Sequence, residues 1–89
     1  MRIKKGFVLR EVCGQNVIVG EGLDAINFGR MLSLNETAAW IWKKAVEAGD
    51  FTAEELADSL CEVYDVSAER ALTDVIATIE QWRNLNVVE

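Results

Sequence analysis

Histidine is absent from this chain of 89 residues, and proline is absent too. Without imidazole the usual general base near neutral pH is missing. Cysteine is scarce. Cys13 and Cys61 stand far apart, outside any CxxC pair, and read as small buried hydrophobes rather than as nucleophiles or ligands. A four-ligand zinc site cannot be assembled from Cys and His here, so neither a metal nor a cofactor is expected. The six glycines are scattered at turns and make no phosphate-binding loop. No apolar run approaches the roughly 20 residues of a membrane span, and the start has no signal-type apolar segment. A soluble, cytoplasmic protein is the expectation, with no membrane partner.

Basic residues are in the minority, with nine Lys and Arg against fifteen Asp and Glu, a net charge of −6. Nucleic-acid binders need cations to displace phosphate counterions, so this balance argues against such a partner. It is easier to reconcile with a basic or mainly apolar one. The carboxylates do not form a catalytic pair. Glu54, Glu55 and Asp58 gather at a helix start, where capping and solvation explain them. Glu62, Asp65, Glu69 and Asp74 are spread over polar faces. The composition describes a binding module, not an enzyme.

What is present is half hydrophobic (51%), enough for one globular domain over residues 1–89 with a modest core. Arg2, Lys4 and Lys5 make a basic start that reads as a solvated tail. Residues 7–13 (FVLREVC) and 17–19 read as two strands, joined through Gly14, Gln15 and Asn16 as a hairpin. Residues 23–30 admit a further strand at 25–28, and residues 31–34 (MLSL) form a short apolar strand. Asn35 then fits a helix N-cap, with Glu36 against the positive end of the helix dipole. Ala38, Ile41, Trp42, Ala45 and Val46 recur at helical spacing, while Trp40 falls on the opposite face. Gly49 closes this helix.

Thr52 with Glu55 is a capping box, with Phe51 stapled onto Leu56. Leu56, Ala57, Leu60, Cys61 and Tyr64 face inward on the second helix. Ser67 caps a third, longest helix, and Asn86 supplies a left-handed stop before Val87 and Val88. On this third helix Ala68, Leu72, Val75, Ile76 and Ile79 centre a core stripe. The apolar character extends to one flank through Ala71, Thr78 and Trp82. The opposite face holds Arg70, Asp74, Gln81 and Asn84. Two readings fit the apolar flank: cover by a neighbouring element, or one wall of a groove beside the last strand.

A short strand running into Leu34-Asn35-Glu36-Thr37-Ala38 and an aromatic helix resembles the PqqD family, proteins related to pyrroloquinoline quinone synthesis protein D. The resemblance covers nearly the whole chain and implies an α+β, winged-helix-like domain, a three-stranded antiparallel sheet followed by three helices. Against the family pattern, residues 23–30 look like an insertion. The resemblance further implies a recognition element for ribosomally made precursor peptides. Such a domain captures the leader segment by strand addition and presents the rest to a modifying enzyme, often a radical SAM protein. It does not by itself make pyrroloquinoline quinone the product.

An uncovered sheet edge offers unpaired amides and carbonyls to an extended peptide on physical grounds too. The edge is then placed at Arg30, Met31, Leu32 and Ser33, with Leu34 turned to the core. The other wall is placed at Ala71, Val75, Thr78 and Trp82. The chain is expected to be a monomer or weak dimer. The alternative is a winged-helix DNA-binding regulator reading the major groove with Arg70, Gln81, Arg83 and Asn84, against which Glu69, Asp74 and Glu80 count.

Overall fold

The computed structural model describes residues 1–20 and 32–89. The expectations for residues 23–30, and for Arg30 and Met31, lie outside the described residues. The described elements are β1 (Phe7–Val12), β2 (Gln15–Gly20), β3 (Leu32–Leu34), α1 (Glu36–Ala48), α2 (Ala53–Val63) and α3 (Ala68–Asn84). This is the expected α+β arrangement, with one antiparallel sheet in the order β1-β2-β3.

The hairpin turn is Cys13-Gly14, one residue earlier than the sequence suggests, and Gln15 and Asn16 already belong to β2. Both turn residues have positive φ, +52° and +77°, the requirement of a two-residue type I′ turn. The resulting register sets Leu9 opposite Ile18, and both pack in or against the core. A slip of one residue would send one of these sets of side chains to the other face, which is why the earlier turn wins. Cys13 is therefore exposed rather than buried, while Cys61 is half-buried against the core.

All three predicted N-caps form. Asn35 Oδ1 accepts from the Ala38 amide at 2.8 Å, Thr52 Oγ1 from Glu55 at 3.1 Å and Ser67 Oγ from Arg70 at 3.1 Å. Gly49 and Asn86 take the positive φ that ends α1 and the chain's last turn, at +78° and +65°.

The core is built around Trp42 and Trp82, whose rings meet edge-to-face at 5.1 Å. Phe51, Ile18, Ile41, Val75 and Val87 are buried with them. The expected α1 face is shifted: Ala39 is buried, Ala38 half-buried and Val46 exposed. Trp40, on the far face, packs edge-to-face on Tyr64 at 5.9 Å, so α1 is covered on two sides.

The stripe on α3 is shifted as well. Its buried residues are Ala71, Val75, Ile79 and Trp82, whereas Ile76 is 41% exposed. This is a rotation of about 50°, half the roughly 100° between successive helical residues. The cause is the size of Trp82, which makes the largest contribution to burial when it meets Trp42.

The basic start is no tail. Arg2 and Glu89 exchange two backbone bonds, each 2.9 Å, and the Lys4 amide donates to Val87 O at 2.9 Å. Ile3 pairs with Val88, and the Phe51 amide donates to Met1 O at 2.7 Å. Val87 and Val88 are buried, and an apolar C-terminal segment of that kind needs a strand to pair with.

Candidate functional site

The turn fixes which backbone groups of the sheet are left unpaired by the described strands. In a two-residue hairpin the flanking residues, here Val12 and Gln15, form a hydrogen-bonded pair, and such pairs then alternate along the ladder. Residues 15, 17 and 19 of β2 thus turn their amides and carbonyls toward β1, and residues 16 and 18 toward β3. The partners of Asn16 and Ile18 are Leu34 and Leu32. Leu32 and Leu34 are consumed by β2, and the Ser33 N–H and C=O point away from β2, along an edge that no other described strand pairs with. The side chains alternate in the same way: Leu34 is buried, Leu32 half-buried against the core and Ser33 exposed.

Beside this edge lies a groove of about 420 Å³ between β3, the start of α1 and α3. Ser33, Leu34, Asn35, Thr37, Ala38 and Ile41 line one side, and Asp74, Ala77, Thr78 and Gln81 the other. Leu34 and Ile41 are buried and make its floor. Thr78 Oγ1 donates to the Asp74 carbonyl at 2.9 Å, so its hydroxyl is satisfied and its methyl remains for an apolar contact. Asp74 is the ionisable residue of the lining among the described residues. Its two carboxylate oxygens lie 3.3 and 3.2 Å from Arg70 Nε, an exposed i,i+4 pair on α3.

The structure thus brings together Ser33 and Thr78 of the residues expected at the site, with Leu32 next to them on β3. Ala71, Val75 and Trp82 are not on the groove surface: each has 0% exposure and belongs to the core. The rotation of α3 that buries Trp82 carries the groove wall round to Asp74, Ala77, Thr78 and Gln81. These four recur at i, i+3, i+4 and i+7, one helical flank, and that spacing was visible in the sequence. Thr37, Ala38 and Ile41 enter because Asn35 joins β3 to α1 without a loop.

Two further concavities lie elsewhere. One, of about 260 Å³, sits between the end of α1 and α2, lined in part by Lys44, Phe51 and Glu55. The other, of about 310 Å³, sits between β1 and α1, lined in part by Leu9, Trp42 and Val46. Neither touches the β3 edge. Among the described residues no group of three or more His, Cys, Asp or Glu is placed to hold a metal ion, and no helix is long and apolar enough to cross a membrane.

Among the described residues, a small α+β domain presents a strand edge above a shallow, mixed groove, an arrangement compatible with strand addition. Residues 14–88 match the family described as coenzyme PQQ synthesis protein D (PqqD), and the protein belongs to that family. Its fold is similar to that of TbiB1, solved in complex with the TbiA(beta) leader peptide. The TM-score is 0.80 at 20% identity, covering 100% of this chain and 95% of the other. It is also similar to lasso peptide synthetase B1, solved with its leader peptide, with a TM-score of 0.72 at 20% identity. That match covers 98% of this chain and 93% of the other. No curated protein matches the sequence.

Proposed function

We propose that this protein is a non-catalytic recognition module that captures the leader segment of a ribosomally made precursor peptide. The leader adds itself to β3 as a fourth strand, bonded to the outward N–H and C=O of Ser33. Its alternate side chains enter the groove toward Ala38, Ala77 and Thr78. The observation that carries this reading is the coincidence of an outward-facing edge residue with an adjoining groove. Family membership supports it, as do two fold neighbours solved with leader peptides. The bound precursor is then presented to a modifying enzyme of the radical SAM type, which does the chemistry.

The DNA-reading alternative is not favoured. On the outer face of α3, Arg70 is paired with Asp74, and Glu69 and Glu80 lie among the remaining polar residues. With a net charge of −6, that face would meet phosphates with repulsion.

The test is an amide chemical-shift titration with synthetic leader segments of candidate precursor peptides. Shifts should concentrate on Ser33, Thr37, Ala77, Thr78 and Gln81. Shifts concentrated on α2 between Glu54 and Cys61, or none at all, overturn the reading.

A further inference from the structure

Among the described residues that line the proposed groove, Asp74 carries the charge, and its pair with Arg70 is loosely made. Asp74 stands in the lining, whereas its partner Arg70 does not. The pair is side-on, through Nε alone, at 3.2 to 3.3 Å, with 72% and 46% of the two side chains exposed. Pairs of this kind contribute little, because water and salt screen them and two flexible chains must be held still. Thr78 shares the flank but its hydroxyl is bound to backbone, so it does not compete for the carboxylate. A cation arriving along the groove would exchange with Arg70 at small cost, and the chain's net charge of −6 would favour its approach.

We infer that the peptide recognised here carries a lysine or arginine that displaces Arg70 from Asp74, at a fixed distance from the apolar residue that enters beside Ala77. The inference rests on the peptide-capture reading and adds the chemical class of the peptide. Arg70 acts as an internal stand-in for that residue, occupying the carboxylate until the peptide replaces it. The two members of the pair therefore have opposite effects: Asp74 attracts the ligand, and Arg70 competes with it.

The probe is a displayed library of random peptides, selected on the wild-type protein, on Asp74→Asn, on Asp74→Lys and on Arg70→Ala. These side chains are well exposed, and circular dichroism checks that each variant stays folded. The wild-type pool should enrich Lys or Arg at one position relative to an apolar residue. The Asn variant should lose that preference, and the Lys variant should replace it with Asp or Glu. For one peptide from the wild-type pool, Asp74→Asn should weaken binding roughly 2- to 5-fold, the size of an exposed ion pair, and flatten its salt dependence. Arg70→Ala should tighten it by a similar factor. Enrichment that is unchanged by the Asp74 variants overturns the inference, and so does Arg70→Ala weakening the binding. In either case peptide capture itself still stands. A wild-type protein that enriches no peptide overturns both.

Discussion

Val75 and Ala77 are two positions apart on α3 and have opposite fates, one with no exposed surface and the other facing solvent beside the groove. Val75→Glu would bury a carboxylate among described core residues that are all hydrophobic, at an expected cost above about 3 kcal/mol. Thermal denaturation should find that variant largely unfolded. Ala77→Gln adds bulk and a polar group to the groove wall while keeping a good helix former. Its melting temperature should stay near that of the wild type, while leader-peptide affinity measured by calorimetry falls about tenfold. Equal loss of stability in both variants would contradict the rotation of α3 described above. The sequence pattern could not separate these residues, because Ala68, Leu72 and Ile76 make as regular a stripe as Ala71, Val75 and Trp82. Which stripe is buried depends on where Trp42 stands, and Trp42 is 40 positions away from Trp82 in the chain and 5.1 Å from it in space.

The helix starts are specified by signals that act within a few residues. Asn35, Thr52 and Ser67 each satisfy an amide three positions on, an interaction that needs no tertiary partner. Asn35→Ala should lower stability by about 1 kcal/mol in urea unfolding. The hairpin turn is less well matched to its residues, since Cys13 holds a φ of +52° that favours Asn. Cys13→Asn should raise stability by about 0.5 kcal/mol and leave peptide binding unchanged, because the turn is not part of the groove. β3 permits a sharper test of strand addition. The Ser33 amide faces away from β2, so Ser33→Pro removes a donor offered to the peptide and none from the β2 ladder. Peptide affinity should fall at least about tenfold with the far-ultraviolet circular dichroism retained. Proline at Leu32 would instead break the pairing with Ile18.

At the scale of the molecule the two ends of the chain are part of one structure. Removing residues 1–5 would strip three backbone bonds between the termini, the Phe51 amide bond to Met1 and the packing of Ile3. A loss of 1 to 2 kcal/mol is expected, which for a domain of this size lowers the melting temperature by roughly 4 to 16 °C. The whole-molecule charge makes a second prediction, that gel shifts at about 150 mM salt with competitor DNA retain no specific complex. The sequence by itself determined the element order, the helix caps, the α+β class and the acidic surface, because each depends on neighbouring residues or on a sum over all of them. Only the tertiary structure decided the exact turn, the face of α3 that is buried, the pairing of the termini and hence the groove wall at Asp74, Ala77, Thr78 and Gln81. The physical reason is that apolar stripes of similar quality compete on α3. Only the fit of two tryptophans from distant parts of the chain selects one of them.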